Sequence, residues 1–145
     1  MSPILQGQFA DYGNFHRTPG NKACHMVGIP VIVLSLLALL ARVPLFGIAG
    51  FTVTLAEVLL VGATVYYFTL DAALALMMLA ASVVFAAAGR FVPVWAAVAL
   101  FVLGWLFQFV GHYVYEKRSP AFFRNVTHLL VGPLWILAKV SGRAE

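Results

Sequence analysis

Four histidines carry most of the chemistry open to this sequence: His16, His25, His112 and His128. Neutral imidazole is the commonest protein ligand for a transition metal. The single cysteine, Cys24, excludes an internal disulfide and the cysteine-rich zinc or iron–sulfur centres, which need several thiolates. Any metal would therefore rest on histidine. Thr18-Pro19 reads as an N-cap followed by proline at the first helical position, so a helix should start there and carry Asn21 and His25, four residues apart, on one face. His112 and Glu116 share that spacing, and Pro120 should end their helix. Each helix thus offers an imidazole with a polar partner, and imidazoles converging from separate helices are how helical bundles build metal sites. The ring nitrogen left off the metal needs an acceptor, which Glu116 or Asn21 could provide.

The elements that must position these residues are membrane helices. Of 145 residues, 63% are hydrophobic and 10% charged, against roughly 25% charged for a soluble domain. That is too little polar surface to cover a water-soluble globule of this size. Apolar runs at 26–41, 51–70, 72–89 and 91–115, with Glu57 the only Asp, Glu, Lys or Arg inside them, read as spans. The first is short and contains Pro30, so it should tilt or continue an interfacial helix; the third is rich in alanine and suits close packing. Residues 129–140 are apolar but too few to cross, and read as an interfacial or re-entrant helix. The expected fold is all-α: one integral membrane domain over 1–145, with about four transmembrane helices plus interfacial N- and C-terminal helical segments.

With four spans both termini share a side, which holds Arg17, Lys22, Lys117, Arg118, Arg124, Lys139 and Arg143, while Arg42 and Arg90 lie opposite. This bias expects both termini in the cytoplasm, in a bacterial inner membrane or the endoplasmic reticulum membrane. The polar first 22 residues show no signal-peptide pattern. A formal charge of +4, dispersed as it is, argues against nucleic acid as a partner. All four histidines fall on the cytoplasmic side. A lone histidine at that level is commonly a plain headgroup-level polar residue, but His112 lies within an apolar helix, where an ionisable group normally faces the bundle interior and marks function. Glu57 falls toward the other side and reads as structural, Asp71 as a cap for the third span, and Met77 and Met78 as packing.

Two stretches resemble a known family. Residues 12–30, with His16, Asn21, His25, Gly28 and Pro30, resemble the H-x4-N-x3-H-x2-G-x-P signature of the membrane-bound 2-hydroxy fatty acid dioxygenases. Gly111, His112, Glu116, Pro120 and Ala121 are similar to that family's second block, G-H-x3-E-x3-P-A, and the tail around His128 and Gly132-Pro133-Leu134 fits its usual ending. Some members carry an acidic residue in the final apolar segment where this chain has Lys139. The resemblance implies an iron(II)-dependent oxygenase that uses O2 to convert a long-chain 2-hydroxy fatty acid, drawn from the membrane lipid phase, to the acid one carbon shorter, as in fatty acid α-oxidation and sphingolipid degradation. It implies His16, His25, His112 and His128 as iron ligands. Glu116 would ligate or orient His112, Asn21 and Tyr12 would support the ligands, and Lys22, Lys117 or Arg124 would pair with the substrate carboxylate. Basic residues at such an interface also commonly meet lipid phosphates. Four histidines suit zinc equally well, and only the resemblance selects iron. Two other readings stay open: a b-type haem electron-transfer protein, and a non-enzymatic membrane scaffold or carrier whose histidines are incidental.

Overall fold

The computed structural model describes residues 1–144 as a predominantly α-helical protein. Helix α1 (Pro3–Asn14) starts where the Ser2 hydroxyl accepts from Leu5 N–H at 3.2 Å and Pro3 takes the first helical position. Helix α2 (Pro19–Leu40) starts as the sequence predicts, with the Thr18 hydroxyl accepting from Asn21 N–H, and runs unbroken through Pro30. An antiparallel hairpin, β1 (Pro44–Ile48) and β2 (Phe51–Thr54), leads into α3 (Leu55–Leu70), which a Thr54/Glu57 capping box opens. Asp71 alone separates α3 from α4 (Ala72–Gly89), accepting from Leu74 N–H at 2.9 Å. Helix α5 (Val94–Phe109) continues into a wider π-helical turn (Val110–Glu116), which stops at Lys117 with φ 54°. A short 3₁₀ turn (Ala121–Phe123) then precedes α6 (His128–Val140).

Helices α2 to α5 run antiparallel in succession. One end of the bundle carries Thr18, Asp71 and Glu116. The other carries the hairpin, the Glu57–Arg90 ion pair at 3.2 Å, and Arg42, which donates to the Val92 carbonyl at 2.7 Å. Helices α1 and α6 pack together, and α6 also lies against α4. The core joins Leu5 of α1, Leu74 of α4 and Leu134 of α6, all fully buried. The N-terminal ammonium meets Asp71 at 2.9 Å and fixes α1 to the α3–α4 turn. Apolar side chains such as Val65, Val84 and Trp95 face outward, as lipid contact requires.

Among the described residues, three helices are long and apolar enough to cross a membrane: Pro19–Leu40, Ala72–Gly89 and the continuous Val94–Glu116. The expected second span, 51–70, needs correction, because residues 51–54 are strand and only 16 residues are helical, about 24 Å at 1.5 Å per residue. The hairpin was not expected. Its turn requires positive φ at both central residues, a condition met by Ala49 at 48° and Gly50 at 81°.

Candidate metal centre

Three of the four histidines meet. His16 stands in the turn between α1 and α2, His25 on the second turn of α2, and His112 in the π-helical turn; all three are buried. Each offers a ring nitrogen, and the three nitrogens lie within 4.8 Å of one another. Ring centroids are separated by 4.3 Å for His16–His25 and by 4.8 Å for His112 to either neighbour.

The hydrogen bonds fix which nitrogens face inward. His16 Nδ1 lies 2.6 Å from the Tyr12 carbonyl, and His25 Nδ1 lies 3.0 Å from the Asn21 carbonyl. A carbonyl can only accept, so both Nδ1 atoms carry the proton. Burial pushes the His16 pKa down to about 4, which keeps its ring neutral at pH 7. The neutral rings then present Nε2 lone pairs to each other across 3.1 Å. Two acceptors at that distance repel unless a cation lies between them, and two imidazole nitrogens held about 2.1 Å from one ion naturally stand some 3.0–3.4 Å apart. His112 adds a buried Nδ1 with no partner among the described residues. The donor set therefore fits a metal ion.

Close backbone approach brings the ligands together. A Cβ on Gly111 would lie 2.5 Å from Asn21 Oδ1 and 3.3 Å from His25 Nδ1, so only glycine allows the π-helical turn to seat against α2. Tyr12 stacks on His16 at 3.9 Å, and burial raises its phenol pKa well above the ordinary value, so it too is neutral. Asn21 serves through its carbonyl toward His25, while its Nδ2 donates to the Phe15 carbonyl at 3.0 Å and to Glu116 at 3.1 Å. Glu116 does not join the histidines. Its carboxylate accepts from Arg17 N–H, Thr18 N–H, the Thr18 hydroxyl and Asn21 Nδ2, at 2.9 to 3.1 Å. It therefore clamps the α1–α2 turn, and with it His16, onto the end of α5.

His128 lies outside the group of three. Its Nε2 donates to Asp11 at 2.8 Å, its Nδ1 is buried without a partner among the described residues, and its ring tilts against Tyr12 at 5.6 Å. A cavity of about 500 Å³ begins at His16, His25, His112 and Tyr12 and runs between the helices to Leu36, Leu59 and Phe101. His128 also lines it. Among the described residues, no lysine, arginine, aspartate or glutamate does. The expected carboxylate partners lie elsewhere: Lys22 and Lys117 are exposed, and Arg124 shares a separate cleft with Arg17 and Arg118. A fixed cation in the apolar wall would have to be desolvated without a counter-ion, which is costly.

Sequence reasoning overlooked Asp11 and Gln108. Asp11 gave no signal, since its partner is 117 positions away. Gln108 did give one, as the lone amide in the apolar run from Val94 to Gly111.

A family model described as 2-hydroxy-palmitic acid dioxygenase Mpo1-like matches residues 4–144. The chain is also 28% identical to the 2-hydroxy-palmitic acid dioxygenase MPO1 of Saccharomyces cerevisiae over 134 residues, covering 92% of this chain and 77% of the yeast protein. No solved structure matches it.

Proposed function

Because the chain belongs to the 2-hydroxy-palmitic acid dioxygenase Mpo1-like family, we propose that it is a membrane-embedded, iron(II)-dependent dioxygenase shortening long-chain 2-hydroxy fatty acids by one carbon. The observation that carries this reading is the placement of three converging imidazoles at the head of an apolar cavity. The reaction balances without another reductant: R-CH(OH)-COOH and O2 give R-COOH, CO2 and H2O, four electrons passing from substrate to oxygen. Bound at the histidines, iron(II) would supply open positions for the hydroxy acid and O2 and the electron transfer between them.

The chain's own part is holding, orienting and excluding water. His16, His25 and His112 are the ligands in this reading. The Tyr12 and Asn21 carbonyls keep the Nε2 atoms turned inward, Tyr12 walls the pocket, and Glu116 fixes the turn bearing His16. His128, held by Asp11, borders the cavity beside the ligands. From His25 to Leu36 the cavity follows about 16 Å of helix α2. At about 1.2 Å per bond of extended chain that accommodates a tail of about 14 carbons, the size left on 2-hydroxypalmitate once its head is at the histidines. The termini lie in the cytoplasm in this reading, and residues 1–145 form one membrane domain.

The bundle geometry argues against the haem alternative. A haem would need room for its macrocycle between any two imidazoles that held it. His16 and His25 approach to 3.1 Å with rings at 74°. The test is direct: purified protein is incubated with 2-hydroxypalmitate, iron(II) and O2, and the products are examined for pentadecanoate. Absence of the shortened acid under iron-replete conditions overturns the proposal, as would a stoichiometric Soret band.

A further inference from the structure

Helix α5 places one side-chain amide whose nitrogen no described residue satisfies. Gln108 is 95% buried, being only 5% exposed, and its Nε2 has no hydrogen-bond partner among the described residues. It lies four residues before His112, about 6 Å along the axis, and lines the same cavity. An unpaired amide in an apolar span costs free energy. The fold nevertheless makes room for it: a Cβ on Gly28 would lie 2.3 Å from Gln108 Nε2, so glycine at that position leaves the space the amide fills. Gly28 is in turn one helical turn from His25. The amide therefore sits in a notch between the two helices that bear His25 and His112, at the boundary between the polar head of the cavity and its apolar body.

We propose that Gln108, its Nε2 seated against Gly28, forms a subsite for the head of the 2-hydroxy acid in which its Oε1, at the cavity end of the amide, accepts from the 2-hydroxyl. This deepens the dioxygenase reading and rests on it. The chemistry suits the position. A neutral amide oxygen accepts from the substrate hydroxyl without the desolvation penalty that a charged side chain would meet in this wall. A site built to hydrogen-bond a substrate hydroxyl discriminates strongly against an analogue lacking it. Gln108 is thus a specificity residue for 2-hydroxy over unsubstituted acids.

The test measures binding without turnover. Wild-type protein and Gln108→Met, each loaded with iron(II) under anaerobic conditions, are titrated with 2-hydroxypalmitate and with palmitate, following the fluorescence of Trp105 in the cavity wall. The melting temperature of each ligand-free protein is also recorded. The subsite predicts that Gln108→Met weakens 2-hydroxypalmitate binding about 10- to 100-fold and collapses the preference over palmitate. It also predicts that the melting temperature holds or rises, because an unsatisfied polar group has been replaced by an apolar one of similar shape. A purely structural glutamine would lower the melting temperature instead, and that result, or unchanged discrimination, overturns the subsite alone. Failure of the wild-type protein to bind either acid overturns the dioxygenase reading and the subsite with it.

Discussion

Gly111→Ala adds a single methyl group at the point where the π-helical turn touches α2. The new Cβ would stand 2.5 Å from Asn21 Oδ1, 3.1 Å from Cys24 Cβ and 3.3 Å from His25 Nδ1. Favourable contact begins near 3.5 Å, so relief requires a displacement of about 1 Å. Asn21 is not free to swing aside, since its Nδ2 is held by the Phe15 carbonyl and by Glu116. The two helices must therefore separate, carrying His25 away from His112. Overpacking of this kind costs about 1–3 kcal/mol, and disturbing ligand orientation typically lowers metal affinity by about 10- to 100-fold. Iron(II) affinity is measured anaerobically by competition with a chromogenic chelator, and stability by thermal unfolding of the same sample. Gly62→Ala in α3 is the control: nothing lies within 4 Å of its added Cβ, so alanine should be neutral or stabilise by up to about 1 kcal/mol. Wild-type iron affinity and stability in Gly111→Ala would refute the claim that helix proximity at this glycine sets the ligand geometry.

His25→Ala and His112→Ala should each reduce iron content after purification by about tenfold or more, read by metal analysis, whereas Asp11→Asn should leave iron content near wild type because His128 lies outside the converging group. Glu116→Gln swaps an acceptor-only carboxylate for an amide that turns one donor toward the four donors of the α1–α2 turn and α2. It should destabilise the protein by about 1–3 kcal/mol in thermal unfolding and lower iron affinity less than His25→Ala does. Ala63→Phe fills part of the cavity wall, so competition between 2-hydroxypalmitate and 2-hydroxylaurate should shift toward the shorter acid; an unchanged ratio would show that the tail lies elsewhere.

The helical frame was legible because local chemistry decides it. Thr18-Pro19 announces the start of α2, Asp71 caps α4, and apolar runs set the lengths of α4 and α5. The hairpin was hidden because its residues are as apolar as the span they precede, so hydropathy extends the helix backward through Phe51 to Thr54. At the site, spacing within a helix was readable and contact between helices was not. Asn21 and His25 do share a face, yet the atom of Asn21 that orients His25 is the backbone carbonyl, which no side-chain pattern reports. The i to i+4 pairing of His112 with Glu116 suggested a ligand and its partner. The carboxylate instead faces the N–H groups of Arg17 and Thr18, whose proximity depends on how α1 turns into α2.

That turn of Glu116 away from the histidines bears on how the centre would handle charge. Three neutral imidazoles contribute none, and no carboxylate or cationic side chain lines the cavity among the described residues. On the proposed reading, the metal's full charge is then the only fixed charge available to draw an anionic head into a low-dielectric wall, where its pull is weakly screened. A glutamate ligand would neutralise part of that attraction. Glu116 stays outside because four donors already satisfy it, more donors than the neighbourhood of three imidazoles could offer a carboxylate. The same logic makes Gln108 the suitable polar group within the cavity: it can read the substrate's head without adding a charge that would compete with the metal for it.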